Sequence, residues 1–256
     1  MWLYCLRQIM AQLTASLEVQ GFVTADRLIL NGRKLPDLTF GVEAFDSALA
    51  LNFGQFAVFQ GKPSHALCML LCVRAMLPHP LGPNCDVIFI DGGNNFDPYS
   101  ISNNSVEQSL DPENVLERLH VSRAFTHHQL AGVVIDKLPQ AIEEFEAKLV
   151  IVSDITQLYC DPDVRDDDKD DALRIFGKTV RTLRMLARQH QCLIIATNLE
   201  QRSPQMERSL MLAAHVSVRI EQNPGLTQFS LLKHPHFPPR TTIASVPGVK
   251  VLESYL

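Results

Sequence analysis

Several features are absent from this 256-residue sequence, and each absence narrows the class of protein. The formal net charge is −5, from 23 lysines and arginines against 28 aspartates and glutamates, so no global positive field draws the chain toward nucleic acid. The 6 cysteines include no Cys-x-x-Cys pair, and most lie in apolar runs. That usage favours a reducing, intracellular compartment, the cytoplasm or a eukaryotic nucleus. Internal repeats and low-complexity tracts are also missing, and the composition indicates a globular protein with one sizeable core.

The first 20 residues carry an apolar helical stripe that polar side chains such as Arg7 and Gln12 interrupt. The stripe is therefore neither a signal-peptide core nor a segment that spans a bilayer, and we expect no membrane association. A connecting stretch with turn signals follows, and the core is expected to start near Leu38. This divides the chain into an N-terminal helix and linker, residues 1–37, and a core, residues 38–256.

The core alternates short apolar runs with helical patterns. The runs are bounded by polar or glycine residues, as in strands buried on both faces of a parallel sheet. The sequence predicts strands at Phe56–Phe59, Val87–Ile90, Leu149–Val152 and Leu193–Ala196, and helices at Ala66–Met76, Pro112–Leu119, Gln140–Glu146 and Ala172–His190. The tail from Val216 to Leu256 has proline and glycine turns and is typical of an antiparallel sheet edge. We therefore predict a doubly wound α/β domain whose ligands bind at the carboxyl ends of its strands.

Motifs at these strand ends resemble the RecA/RadA recombinase family, in particular its archaeal and eukaryotic branch. The similar segments follow one another in the same order and span most of the chain. They are Phe40–Asp46, Phe56–Gly61, Ile88–Asp91, Asp111–Arg118, Val121–Phe125, Leu149–Val152, Thr197-Asn198 and Lys233–Pro238. The resemblance implies a RecA-like P-loop ATPase core with a mostly parallel sheet and an antiparallel C-terminal edge.

The phosphate-binding loop of that family is altered in this chain. A P-loop, G-x-x-x-x-G-K-S/T, uses its lysine to neutralise phosphates and its hydroxyl to hold Mg²⁺. The matching segment reads Gly61-Lys62-Pro63-Ser64-His65-Ala66-Leu67-Cys68. Leu67 therefore occupies the lysine position and Cys68 the hydroxyl position. Lys62 lies too early in the loop to replace the lysine directly.

Three further positions that the resemblance assigns to nucleotide chemistry are also changed. Gly93 stands where the family has the acid that activates water, two positions after Asp91. Ser153 stands at the metal-associated aspartate, with Asp154 displaced by one residue, and we expect that shift to turn the carboxylate to the other face. After Asn198 the chain lacks the glutamine that relays the nucleotide state. We therefore expect no catalytic residue and no bound cofactor, although weak ATP binding stays open.

A partner-binding motif implied by the resemblance precedes the core. Phe22 and Ala25 form an F-x-x-A. In the family this motif docks into the neighbouring subunit, where the phenylalanine fills a pocket and the backbone extends a sheet. The alternative is a phenylalanine packed on its own domain. The expected partner is a recombinase-fold protein, or a second copy of this chain, bound through this N-terminal linker.

The loops that bind DNA in that family carry few basic residues here. Arg202 and Arg208 are the DNA-binding candidates after Asn198. A further set of basic residues recurs at helical spacing and forms either a binding stripe or an ordinary solvated face. Its members are Arg174, Lys178, Arg181, Arg184 and Arg188. The acidic stretch Asp161–Asp171 is typical of a solvated loop, the histidines lack metal-ligand spacing, and no metal site is predicted.

The sequence favours a non-catalytic recombinase paralogue, an accessory or mediator of homologous recombination and DNA repair. Such a protein would act by binding a recombinase-fold partner and, weakly, DNA. One alternative is an active DNA-dependent or KaiC-like ATPase that uses Lys62 for the phosphates and Asp91 or Asp154 for the metal. Another is an interaction scaffold unrelated to DNA, because the fold by itself does not establish repair.

Overall fold

The structure, a computed structural model, describes residues 37–160, 169–223 and 226–244. These residues belong to one compact unit of the chain, Pro36–Leu256. The motif formed by Phe22 and Ala25 lies outside the described residues, as does most of the acidic stretch before Asp171. The division of the chain at residue 37 stays a prediction.

An eight-stranded mixed sheet forms the centre of the described unit. Its strands are β1 Phe56–Gln60, β2 Val87–Asp91, β3 Leu119–Arg123, β4 Leu149–Ser153, β5 Leu193–Asn198, β6 Val216–Asn223, β7 Leu226–Lys233 and β8 Arg240–Ala244. They lie in the order β3-β2-β4-β5-β1-β6-β7-β8. The first six of these pair in parallel, whereas β7 pairs antiparallel with both β6 and β8. The predicted α/β class is confirmed, with one correction: β6 is parallel to β1, so the antiparallel edge begins only at β7.

Helices cover both faces of this sheet. They are α1 Glu43–Leu49, α2 Ser64–Ala75, α3 Pro98–Glu107, α4 Pro112–Glu117, α5 His127–Gly132, α6 Leu138–Glu144, α7 Lys169–Gln189 and α8 Pro204–Ala213. A π-helical turn, Val133–Lys137, joins α5 to α6. Polar caps fix three of the starts: Asp97 accepts from the Tyr99 amide before α3, Thr126 Oγ1 accepts from the Gln129 amide before α5, and Ser203 accepts from the Met206 amide before α8.

Two apolar layers hold the helices on the sheet. The central strands β1, β2, β4 and β5 are buried along their whole length, so their alternate side chains supply both layers. One layer contains Phe59 together with most of α2. The other contains Phe56 and the buried side of α7. Because neither face of these strands meets solvent, polar side chains concentrate where the strands end.

The predicted helix at 112–119 is too long. Helix α4 ends at Glu117, and Leu119 begins β3, a strand that the sequence did not predict. Only its first residue is fully buried, and Val121 is half-exposed, so β3 lacks the continuous apolar run of the central strands. Its position at the end of the sheet explains this pattern, because an outer strand is covered less than a central one.

Candidate functional site

The candidate site lies at the carboxyl ends of the four central strands. Gln60 at the end of β1 is paired with Asn198 at the end of β5, and Asp91 at the end of β2 is paired with Ser153 at the end of β4. Helix α2 begins next to this edge. His65, in its first turn, lies close enough to Asp91, Asp97 and Asp154 for their charges to affect its pKa. The structure thus brings the sequence-predicted site residues of these strands and of α2 together.

The loop between β1 and α2 closes on itself. Helix α2 starts at Ser64, so the segment aligned with the P-loop is already helical after three residues. The amides of Ser64, His65 and Leu67 donate to carbonyl oxygens of residues 61–63, at 3.0, 3.3 and 3.3 Å. The Ser64 hydroxyl also donates to the Gly61 carbonyl at 2.6 Å. A P-loop leaves such amides free to wrap a phosphate, and here internal acceptors hold them.

The two positions of the lost lysine and hydroxyl are inside the core. Leu67 is 0% exposed and Cys68 is 1% exposed, and both belong to the apolar layer that contains Phe59. Burial raises the pKa of the Cys68 thiol well above its ordinary value, so the thiol stays neutral. Both side chains therefore pack as part of the apolar core.

Asp154 follows β4 in a left-handed backbone conformation, with φ of 44°. We expected the one-residue shift to turn the Asp154 carboxylate to the opposite face of the sheet. Because β4 ends at Ser153, Asp154 lies outside the strand, and strand alternation does not decide where its carboxylate points. The Asp154 amide donates to Thr197 Oγ1 at 2.8 Å. Its carboxylate, in a residue that is 1% exposed, accepts from Arg202 Nη1 at 2.8 Å and from the Leu199 amide at 3.4 Å.

Asp91 is held in the same way from the other side of the site. It is fully buried, and its carboxylate accepts from the amides of Asn95 at 2.9 Å and Phe96 at 3.2 Å. Arg123 Nε donates to the same carboxylate at 3.2 Å. This arginine ends β3, directly beside Asp91 in the β2–β3 register. Both candidate metal ligands of the sequence analysis therefore contact an arginine.

Side chains crowd the position of Gly93, where the missing acid would stand. A Cβ at this position would collide with Asn95 Nδ2 and approach Asp154 Cβ to 2.9 Å and Gln157 Oε1 to 3.1 Å. A glutamate would therefore require the Asn95 and Gln157 side chains to change rotamer and Asp154 to shift.

Some buried polar atoms of the site have no hydrogen-bond partner. They are Gln60 Oε1, His65 Nδ1, Ser153 Oγ and Asn198 Nδ2. Burial lowers the pKa of His65, although the carboxylates of Asp91, Asp97 and Asp154 oppose the shift. Asn198 is satisfied at its other end, where Oδ1 accepts from Thr156 Oγ1 at 2.7 Å.

The site does not fit a magnesium-bound nucleoside triphosphate. Three amides of the loop that aligns with the P-loop are paired internally, and both carboxylates that would approach Mg²⁺ already contact guanidinium groups. The Lys62 side chain is 80% exposed and lies 3.5 Å from Glu200, so it does not occupy the buried position of the missing lysine. We therefore assign no chemical step to these residues.

The DNA-binding candidates separate in the structure. Arg202 is engaged by Asp154 and, at 3.5 Å, by Glu200, which leaves its side chain 23% exposed. Arg208 is exposed on α8. Along α7, Lys178, Arg181 and Arg188 are exposed opposite the buried side. By contrast, Arg174 contacts Asp171 at 2.6 Å, and Arg184 donates to the last carbonyls of α8.

Two features are absent from residues 37–160, 169–223 and 226–244, the part of the chain that the structure describes. No group of three or more histidine, cysteine, aspartate or glutamate side chains there could hold a metal ion. In the same residues, no helix is long and apolar enough to cross a membrane.

The fold and site define a class: a RecA-like core with a strand–loop–helix unit at the centre of a mostly parallel sheet. The chain belongs to the Rad51 family, whose model matches residues 33–218, and so to the RecA/RadA recombinases. It is 23% identical over 194 residues to the DNA repair and recombination protein RadA of Cenarchaeum symbiosum (strain A), which covers 72% of this chain and 47% of RadA.

A plant relative matches a shorter part of the chain. Identity is 27% over 150 residues to the meiotic recombination protein DMC1 homolog A of Oryza sativa subsp. japonica. This match covers 55% of the chain and 42% of that relative. The chain thus spans about half the length of the curated relatives it matches.

Sequence reasoning missed the residues that complete the site. Arg123, Thr156, Thr197 and Glu200 all contact residues that the sequence did predict. The one available signal was in β3: had that strand been predicted beside β2, its last residue would have been placed beside Asp91.

Proposed function

We propose that this chain is a non-catalytic member of the Rad51 family that acts in homologous recombination and DNA repair by binding a recombinase-fold partner. The observation that carries the proposal is the state of the nucleotide site, where Asp154 and Asp91 contact Arg202 and Arg123. Hydrolysis needs a metal, a phosphate cation and a positioned base, and this chain has replaced each of these groups. The names of the relatives, which refer to DNA repair and meiotic recombination, support the process.

A surface suited to partner binding lies at the β3 end of the sheet. Strand β3 pairs only with β2 among the described residues, so its outer edge can accept another strand. Next to this edge is a cavity of about 400 Å³. It is lined by Ser122, Arg123, Phe125, Gln129, Gly132, Val133 and Lys137. An extended segment added to β3 would place an aromatic side chain beside Phe125, which is 68% exposed.

Phe22-Val23-Thr24-Ala25 is the segment we propose to dock on such a surface, either in a recombinase-fold partner or in a second copy. A buried aromatic anchor commonly contributes about 2 kcal/mol to binding. The Phe22→Glu substitution should therefore weaken association about 30-fold or more. Val23→Glu is the matched control: it adds the same charge at a neighbouring position whose side chain would point away from the pocket in an added strand.

The partner is first identified by co-purification from the native host, and self-association is measured by sedimentation. We expect a recombinase-fold protein to accompany the wild type and Val23→Glu, or the chain to assemble with itself. Phe22→Glu should lose the complex while its melting temperature stays the same. Equal association of the two variants, or a large loss of stability in Phe22→Glu alone, would reject this docking mode. Recovery of partners with no role in recombination would favour the scaffold alternative.

A further inference from the structure

Two buried carboxylates at the candidate site are each neutralised by an arginine from another loop or strand end. Asp154 is 1% exposed and Asp91 is 0% exposed. A carboxylate removed from water in this way needs a positive charge or several hydrogen bonds to compensate for lost hydration. Arg123 supplies the positive charge at Asp91, together with two backbone amides.

Arg202 supplies the positive charge at Asp154. The contact of 2.8 Å joins residues 48 positions apart, and the arginine side chain is only 23% exposed. In sites that transfer phosphoryl groups, the charge beside such a carboxylate comes from a divalent cation. We infer that Arg202 takes the place of the metal ion at Asp154 and thereby fixes the loop after β5 without any nucleotide.

A series of oppositely charged side chains connects the loop after β5 to two neighbouring loops. Lys62 lies 3.5 Å from Glu200, Glu200 lies 3.5 Å from Arg202, and Arg202 contacts Asp154. This series joins the loops that follow β1, β5 and β4. Its outer pair is exposed and weakly stabilising, so the inner pair is the one that holds the arrangement.

Backbone contacts extend the same restraint into the loop. The Leu199 amide donates to the carboxylate oxygen that Arg202 contacts, and the amide of Asp154 is bonded to Thr197 Oγ1. Gly61 also donates its amide to the carbonyl of Asn198 at 3.0 Å. The first residues of the loop after β5 are therefore held by hydrogen bonds to the ends of β1 and β4 within the protein itself. The inference rests on the proposed non-catalytic function, because a nucleotide that binds and is hydrolysed would need these same groups.

Thermal melts with and without magnesium chloride test the inference, with sodium chloride of equal ionic strength as reference. Arg202→Ala leaves Asp154 buried without its cation, and we expect it to lower the Tm by roughly 5–10 °C. Arg208→Ala is the matched control, an exposed arginine of the following helix, and should change the Tm by less than about 1 °C.

The change in Tm on addition of magnesium distinguishes an arginine that replaces a metal ion from an ordinary ion pair. Millimolar Mg²⁺ should raise the Tm of Arg202→Ala by about 1–2 °C, since the freed carboxylate becomes a hard oxygen ligand. The wild type and the double variant Arg202→Ala/Asp154→Asn should not respond. An Mg²⁺ response in the wild type, or none in Arg202→Ala, would overturn the inference. If Arg202→Ala does not fold, Arg202→Gln is measured with the same criteria.

Hydrogen exchange and hydrolysis separate this inference from the proposed function. In the wild type, we expect exchange of the amides from Leu199 to Ser203 to be unchanged by magnesium and ATP. Changed exchange without hydrolysis would overturn the role of Arg202 and leave the non-catalytic function standing. Magnesium-dependent hydrolysis would reject the proposed function and, with it, this inference.

Discussion

At the scale of single residues, the altered nucleotide site is a matter of burial as well as of side-chain identity. Leu67 and Cys68 are integrated in an apolar layer, and Gly93 is enclosed by Asn95, Asp154 and Gln157. A residue restored at any of these positions would meet packed atoms and not an open ligand site. The stability of a variant that restores one of these family residues should therefore be measured before its ATP hydrolysis.

Leu67→Lys should destabilise the fold. Because Leu67 is 0% exposed, a lysine there must bury an unpaired ammonium or expel it, and we expect a loss of about 3 kcal/mol or more in unfolding free energy. Leu67→Met, which preserves volume and polarity, should lose less than about 1.5 kcal/mol. Denaturant unfolding of both variants measures the difference.

The double variant Leu67→Lys/Cys68→Thr should also fail to hydrolyse ATP, because Gly93 still leaves water unactivated. Phosphate release is the measurement. A stable double variant that turns over ATP would show that the loop between β1 and α2 opens into a working P-loop.

At the scale of elements, the buried strands were predictable and the outer strand was not. All four central strands were predicted from continuous apolar runs, each to within two residues of its observed end. Strand β3 has no such run, since its neighbour covers only one edge. Helix α7 was predicted because its buried residues recur at helical spacing, whereas α5 and its π-helical continuation are too short to show a period.

The strand ends were predictable as a location, but their contacts were not. Parallel strands bring their carboxyl ends to one edge, so the meeting of Asp91, Ser153 and Asn198 follows from the fold class. The arginines that contact the two carboxylates could not be predicted from the fold class. Asp91 and Arg123 are 32 positions apart and Asp154 and Arg202 are 48 apart, and no local pattern indicates which arginine reaches which acid.

The role of the cavity beside β3 can be tested by substitutions of Gly132 in α5. Gly132 lines this cavity, and a Cβ added there would meet only Asp136 Oδ2, at 3.9 Å. Gly132→Phe should therefore fill the cavity without disturbing α5 and should weaken partner binding at least tenfold. Gly132→Ala adds only a methyl group and should bind like the wild type, with a slightly raised Tm.

Binding of both Gly132 variants is measured on the complex recovered with the wild type, with thermal melts as control. Normal binding by a stable Gly132→Phe would show that the partner docks elsewhere. A loss of binding in both variants would indicate that α5 itself, and not the cavity, is the contact surface.

At the scale of the whole molecule, charge is distributed unevenly. The chain carries a net charge of −5, yet α7 exposes Lys178, Arg181 and Arg188 on one side. These three cations and Arg208 are the surface we propose for DNA, since Arg202 is engaged internally. A few phosphate contacts against a negative protein predict weak and salt-sensitive binding.

Four phosphate contacts predict a log–log salt slope of roughly −3 for single-stranded DNA, which is an affinity loss of about 50-fold between 50 and 200 mM salt. Fluorescence anisotropy of a labelled oligonucleotide measures this slope. Lys178→Glu/Arg181→Glu should abolish the binding, and Lys137→Glu, on another exposed surface, should reduce it much less. Tight binding that survives raised salt would contradict the assignment.

We propose that the ion pairs of Asp154 with Arg202 and of Asp91 with Arg123 in this Rad51-family core stand where a nucleotide and its metal ion would otherwise be held, so that the protein does not hydrolyse ATP. Phosphate release by the purified wild type, with magnesium, ATP and single-stranded DNA present, tests it most directly. The predicted result is no turnover above the background of a heat-denatured sample. Turnover that Lys62→Ala or Asp154→Ala abolishes would contradict the claim, because it would show that these residues serve phosphate and metal in a working ATPase.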